Sequence, residues 1–330
     1  MSLSWINISH HLPFGLLRRM AGVNPLIVNY HVVSDRRLPH IINLYKYRDT
    51  KTFREDLDFL TSHFHSIDLH TLLDHLRNRT KLPKNSFLLT FDDGFKEVYE
   101  VVAPILIEKG IHATFFLTRD FIDNLSLGYD AKKSLIIDKI LSDESVPDKL
   151  KGMLDFTCPE ELVHAVFNLS YVNRTLLDLI AGTLNLDFSE YLENVSPYLS
   201  GDQISKLIHQ GFTIGSHSLD HANFRELMLE DQLHQVMTSM DYLCKRFSLQ
   251  YRVFAFPYTD IGISRDFFHK IENSIDASFG TQGLLTDCIW NNLQRISFEK
   301  FTRPAISVTK FYYSRRLFYR LIKNNRIFRK

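Results

Sequence analysis

The chain has 330 residues, of which 45% are hydrophobic and 23% charged, and its formal net charge is +1. This excludes a disordered, collagenous or disulfide-stapled chain and leaves enough apolar material for a large core, at a length still within the range of one α/β barrel. Near-neutrality argues against a protein built as a whole around nucleic acid, although residues 300–330 hold ten Lys/Arg and no Asp/Glu, which leaves the body before them at −9.

In chain order, strand-like apolar runs alternate with amphipathic stretches. Pro25–Val33 is the first run, followed by the helical pattern Thr52–Phe64. Phe87–Phe91 precedes amphipathic Glu97–Lys109, and His112–Leu117 is the next strand-like run. The rhythm breaks at residues 121–199, where Lys132–Leu141, Glu160–Leu169 and Asn173–Leu184 read as short helices. It resumes with helical Ser200–His209, strand-like Phe212–Ser216, helical Leu227–Phe247, strand-like Tyr251–Phe256 and helical Arg265–Glu272. Weaker strand signals lie at Ala277–Gly280 and Ala305–Val308. Such alternation predicts parallel strands with helical crossovers. Closure without exposed edges then gives an α/β fold, a distorted (β/α) barrel of about seven strands. Residues 121–199 are expected to be a helical insertion within a single domain spanning 1–330, with residues 309–330 as a basic amphipathic C-terminal tail.

Four polar clusters fall at or just after the ends of strand-like runs, where a (β/α) barrel builds its reactive face. They are Tyr30-His31, Asp92-Asp93-Gly94, His217-Ser218-Leu219-Asp220-His221 and Phe256-Pro257-Tyr258. Adjacent carboxylates point in different directions, so one can hold a cation while the other stays free for proton transfer; the plain alternative is a solvated, N-capped turn. His217 and His221 stand four apart and can chelate one ion. Asp93 would complete three protein ligands and leave a coordination position open, the pattern of a catalytic site. His31 reads either as a hydrogen-bonded structural histidine or as a general acid. Tyr258 reads as a packing aromatic beside a turn proline or as a backbone N–H donor facing a reacting carbonyl.

Together these segments resemble the polysaccharide deacetylase family, carbohydrate esterase family 4. Leu88–Leu117 is similar to that family's first motif with its following helix and strand, Gly215–His221 to its second, and Phe254–Tyr258 to its third. The resemblance reaches from about Leu26 to Arg295, outside much of the insertion. It implies that Asp93, His217 and His221 bind a divalent metal, zinc first among the candidates. It further implies that Asp92 is the general base and that the Tyr258 backbone N–H stabilises the oxyanion. No suitable histidine follows His269, whereas Tyr30-His31 matches the circularly permuted members that act on poly-N-acetylglucosamine, so His31 inherits the acid role. The chain departs from the third motif by placing Phe254-Ala255-Phe256 where an Arg often precedes Pro-Tyr; Arg295 from a later strand is expected to replace that Arg. Asp287–Trp290 is a loose echo of the fourth motif.

The expected activity is removal of N-acetyl groups from a sugar of a surface polysaccharide or lipid-linked glycan. A deformylase or amidase on another small N-acyl substrate, and a silent glycan-binding protein, are the alternatives. Cys158, Cys244 and Cys288 are odd in number and far apart, which suits a reduced compartment. The start of the chain lacks a basic region followed by a sustained apolar run, so no secretory signal is read there, and no window predicts a transmembrane helix. The expected location is therefore cytoplasmic. The tail carries either a solvated helix packed on the barrel or a peripheral contact with anionic lipid at the inner face of the membrane.

Overall fold

The structure, a computed structural model, describes residues 12–299, 301–322 and 325–330. Residues 1–11, part of the segment read as lacking a secretory leader, lie outside the described residues, as do Lys300, Lys323 and Asn324 of the basic tail. No described helix is long and apolar enough to cross a membrane.

The strands are β1 (Leu26–Tyr30), β2 (His65–Ser66), β3 (Ser86–Phe91), β4 (Ala113–Leu117), β5 (Thr213–Ser216), β6 (Val253–Ala255), β7 (Ala277–Gly280), β8 (Thr286–Asp287), β9 (Asn292–Gln294), β10 (Ile296–Ser297) and β11 (Arg326–Ile327). β1, β3, β4, β5, β6 and β7 are buried at every position. Burial at every position marks parallel strands covered on both faces. The main sheet runs β10-β1-β3-β4-β5-β6-β7-β9, all neighbours parallel, with β2 added to β3; β8 and β11 pair separately. β9 and β10 stand at opposite ends of that order yet are consecutive in the chain, separated by Arg295 alone. The sheet is therefore almost closed into a barrel, with eight strands on the path rather than about seven.

The helices are α1 (Phe14–Ala21), α2 (Thr50–His63), α3 (Leu69–Asn78), α4 (Ala103–Lys109, entered through a π-helical turn at Val98–Val102), α5 (Tyr129–Ser142), α6 (Val146–Leu150), α7 (Pro159–Phe167), α8 (Thr175–Thr183), α9 (Phe188–Val195), α10 (Gly201–His209), α11 (Leu229–Phe247), α12 (Arg265–Ile271) and α13 (Ala305–Leu321). Caps fix several starts. The Asp49 side chain accepts from Thr52 N–H at α2, Asp68 accepts from Thr71 N–H at α3, and Ser200 and Gln203 form a reciprocal capping box at α10. Most of the helices turn an apolar stripe inward: Phe53, Leu57 and Leu60 of α2 are fully buried, and full burial of such a side chain contributes roughly 1.5–3 kcal/mol.

Between β4 and β5 the chain forms α5 to α10. Helices α5 to α8 enclose a small core of their own around Ile136, Val146, Leu162, Val166, Leu177 and Ile180.

The strand expected at Ala305–Val308 is instead the first turn of α13. Ala305, Val308, Thr309, Tyr312 and Tyr313 recur at helical spacing and all are buried, packed against α1 and α2. The tail beyond Thr309 spends much of its charge on the protein itself. Arg316 donates to the carbonyls of Ala21 and Leu284, Arg320 donates to those of Met20 and Ala21, and Arg329 is buried between Asp260 and Asp287. The strand pair β8–β11 draws Asp287 into that contact and leaves Trp290 half-exposed, stacked under Arg79. The loose fourth-motif echo thus lies away from the polar cluster at the strand ends.

Candidate metal centre and active site

Strand alternation sorts the polar residues before any tertiary detail enters. Asn29 and Thr90, register partners on β1 and β3, face the barrel interior; their neighbours Tyr30 and Phe91 face outward and stack on each other with ring centres 5.5 Å apart. Tyr30 is therefore a core residue, its hydroxyl donating to Asp56 at 2.9 Å, and of the pair Tyr30-His31 only His31 reaches the site. Past β3 the backbone turns sharply: Asp93 has φ of 73° and Gly94 of 86°. A Cβ at Gly94 would sit 3.0 Å from Leu117 Cδ2, so glycine answers both the left-handed conformation and the close approach of β4. Ser218, His221 and Tyr258 also have positive φ; such strained backbone clusters where side chains must be aimed.

Asp93, His217 and His221 converge. Asp93 Oδ1 lies 3.3 Å from His217 Nε2 and 3.2 Å from His221 Nε2, and the three ligand atoms fall within 4.8 Å of one another. That Oδ1 is buried and makes no hydrogen bond. The far nitrogen of each ring faces an acceptor: His217 Nδ1–H donates to the Ala255 carbonyl at 2.9 Å, and His221 Nδ1 is 3.7 Å from Asp130 Oδ2. Both Nε2 atoms are thereby turned toward Asp93, where a cation would displace any proton they carry. A buried carboxylate oxygen without a partner, facing two such nitrogens, fits a divalent cation. Burial alone would depress the His221 imidazolium, but Asp93 and Asp130 raise it to about 10. The same pairing holds Asp93 well below the usual carboxylate range despite its burial.

Asp92 is held by different partners. Arg295 Nη1 donates to Asp92 Oδ1 at 2.7 Å and Nη2 to Oδ2 at 2.8 Å, while Asn29 Nδ2 donates to Oδ2 at 3.2 Å. Arg295 also donates to Asn29 Oδ1, Thr90 Oγ1 and the Gly280 carbonyl, and all of these side chains are buried. Burial would raise the Asp92 carboxyl, but the Arg295 charge beside it more than offsets this and keeps it ionised.

Across the cavity, His31 Nδ1 lies 2.7 Å from Glu299 Oε2, and the other Glu299 oxygen accepts from the backbone N–H of His31 and Val32. Burial lowers the imidazolium pKa; the Glu299 hydrogen bond and charge outweigh it and raise it to about 9. The ring lies 5.1 Å from that of Tyr45. At the opposite rim the Tyr258 hydroxyl donates to Tyr129 at 2.7 Å and meets Asp130. Its backbone N–H makes no hydrogen bond to the described residues.

The structure thus brings Asp92, Asp93, His31, His217, His221, Tyr258 and Arg295 to one cavity of about 440 Å³. Sequence reasoning missed Glu299, Asn29 and Asp130. Glu299 and Asp130 stand in no motif, and Asn29 is one polar residue inside an apolar strand, a weak hint of an inward contact.

A sequence model of a family described as polysaccharide deacetylase matches residues 79–273. No curated protein sequence matches the chain. Among solved structures, a deacetylase from Streptococcus pyogenes, PplD, determined with acetate, is similar at 14% identity with a TM-score of 0.56, over 88% of this chain and 98% of that one. IcaB from Ammonifex degensii is similar at 15% identity and a TM-score of 0.54, over 89% of this chain and 98% of that one. A de-N-acetylase from Aggregatibacter actinomycetemcomitans is similar at 14% identity and a TM-score of 0.54, over 87% of this chain and 99% of that one. At these identities the likeness is one of fold.

Proposed function

The chain belongs to the polysaccharide deacetylase family of hydrolytic carbohydrate deacetylases, and from that premise we propose a metal-dependent removal of N-acetyl groups from a sugar of a surface polysaccharide or lipid-linked glycan. The observation that carries the reading is the pairing of two unlike carboxylates, Asp93 facing two imidazoles with its Oδ1 free of hydrogen bonds and Asp92 clamped by Arg295.

A divalent cation, zinc or another, held by Asp93, His217 and His221 would supply Lewis acidity toward the amide carbonyl and toward water. Asp92, kept ionised by Arg295, takes the proton of the attacking water at a carboxylate lone pair left over from the Arg295 and Asn29 bonds. The amine cannot depart as an anion. His31, whose Nδ1 is fixed by Glu299, presents Nε2 to protonate it. The Tyr258 N–H supports the oxyanion, an effect worth about 3 kcal/mol per donor. Asp130 and Glu299 hold imidazoles in place and take no proton.

Acetate release from chitooligosaccharides and poly-N-acetylglucosamine fragments tests this. The wild type is expected to release acetate, and Asp92→Asn to bind metal at full stoichiometry while releasing none. Turnover retained in that variant refutes the assigned base. Absence of acetate release by the wild type, with formate or another acid released instead, favours the deformylase or amidase reading. An acid–base pair complete with its orienting groups argues against a silent glycan-binding protein.

A cytoplasmic site at the inner face of the membrane is proposed from composition and from exposed Leu321 and Ile322 at the end of α13. Co-sedimentation with anionic liposomes, wild type against a chain carrying Leu321→Ser and Ile322→Ser, tests it; equal partitioning of the two discards it.

A further inference from the structure

Residues 325–330 carry no motif and have no part in the chemistry above, yet they lie against the loop that follows β6. β11 pairs with β8, and the Arg265 N–H at the start of α12 donates to the Lys330 carbonyl at 2.7 Å. Between these two anchors the Arg329 side chain turns into the protein, 1% exposed, with its guanidinium 4.4 Å from the Phe268 ring. Nη1 donates to the Asp260 carbonyl at 2.6 Å and Nη2 to the Asp260 carboxylate, with Asp287 on the other side.

Asp260 is fully buried, and Arg329 is its only cationic partner among the described residues. A buried carboxylate without a counter-charge is neutralised or driven toward water. Held in place, it accepts the Thr281 N–H on Oδ1 at 3.2 Å and the Asn292 and Gln294 side-chain amides on Oδ2 at 3.0 and 2.7 Å. The fit is close, since a Cβ at Gly280 would run into this carboxylate. Thr281 Oγ1 in turn donates to the Tyr258 carbonyl at 3.0 Å.

Tyr258 needs such a hold. Its φ is 53°, a left-handed conformation that a bulky residue keeps only when its surroundings over-determine it. Among the described residues, the one hydrogen bond to the Tyr258 backbone comes from Thr281. Both Thr281 and Tyr258 line the cavity that holds Asp92, Asp93 and His31.

We propose that Arg329 is a positioning residue for the reaction: through Asp260 and Thr281 it holds Tyr258 in the left-handed turn that keeps its N–H available to the oxyanion. This rests on the deacetylase reading and adds to that site a group 69 residues from Asp260 in the chain. An oxyanion donor acts on the transition state, so misplacing it lowers kcat and leaves KM nearly unchanged.

The experiment measures kcat and KM for acetate release from an N-acetylglucosamine oligomer in wild type, Thr281→Val, Arg329→Met, the double variant and Asp287→Asn. Thr281→Val keeps the shape of the side chain and removes the hydroxyl. Its kcat is expected to fall about tenfold with KM within twofold and the unfolding temperature unchanged. Arg329→Met, assayed where circular dichroism shows it folded, is expected to lose about ten- to hundredfold in kcat. The double variant is expected to lose no more, because both changes act through one contact. Asp287→Asn loosens the same buried cluster but removes no contact to residues 258–263. It is expected to lower the unfolding temperature and keep kcat within twofold. A loss of kcat in Asp287→Asn equal to that in Arg329→Met reduces the segment to an anchor and overturns the proposal. An unchanged kcat in Thr281→Val, or losses that multiply in the double variant, overturns it as well. Thr281→Val and Asp287→Asn decide by themselves where Arg329→Met fails to fold. A wild type that releases no acetate from any acetylated sugar removes the deacetylase reading, and the positioning role with it.

Discussion

Arg295 and Asp92 meet through two parallel hydrogen bonds of 2.7 and 2.8 Å, and Arg295 is also the single residue between the two end strands of the barrel. The residue at which the sheet closes thus carries the side chain that fixes the orientation and charge of Asp92. Lysine offers a point charge and cannot reproduce the planar fork. Arg295→Lys is expected to lower kcat at least tenfold with metal stoichiometry unchanged, measured by steady-state kinetics and metal analysis.

Removing the cation altogether leaves a buried carboxylate uncompensated. Arg295→Met should destabilise the fold by about 3–5 kcal/mol in denaturant unfolding. Adding Asp92→Asn should restore much of that stability and none of the activity. A single variant as stable as wild type would mean that the pair is not held as described.

His31 gives a pH signature. Its folded-state pKa is raised from 6.5 to about 9, chiefly through Glu299 against the opposing effect of burial. The native chain therefore holds this proton more tightly than the unfolded chain. The stabilisation is complete below about pH 6.5 and is lost as pH rises through about 9. As the proposed acid, His31 should set the alkaline limb of the rate profile. Glu299→Gln should move that limb to lower pH with metal content unchanged; an unmoved limb assigns the acid elsewhere.

Asp130 stands behind His221 from α5, outside every motif. Groups that orient a ligand typically contribute 10–100-fold to metal affinity. Asp130→Asn is expected to weaken zinc binding by about that factor in competition with a chelator, with the fold intact by circular dichroism. Protons compete with the cation for His221, raised to about 10 without it, so metal affinity should fall as pH is lowered.

At the other end of the chain, the Arg329 side chain is buried against Asp260 and Asp287. Ending the chain at Asn325 should lower stability by about 3–5 kcal/mol, because two buried carboxylates lose their cation. Asp260→Asn with Asp287→Asn should recover part of the loss. Calorimetry on the three chains checks it.

The barrel strands were legible because both of their faces are buried, so β1, β3, β4, β5 and β6 read as largely apolar runs without a charged residue. β9 and β10 were not: three and two residues, partly polar, carry no period of their own. Ala305–Val308 misread as a strand because a short apolar run suits either element; the buried Tyr312 and Tyr313 further on show the helical repeat. Helix α3 was legible and passed over, since Asp68 caps a run with Leu69, Leu72, Leu73 and Leu76 on one face.

Of the site, the sequence determined the ligand types and their local spacing. His217 and His221 belong to one turn and Asp92-Asp93 to another, and strand ends are where a barrel gathers such groups. Only the tertiary structure decided which groups orient them. Arg295 lies 203 residues from Asp92, and Glu299 268 residues from His31. A hydrogen bond of under 3 Å between residues so far apart leaves no trace in local spacing, because it exists only once the sheet has closed and brought its first and last strands side by side.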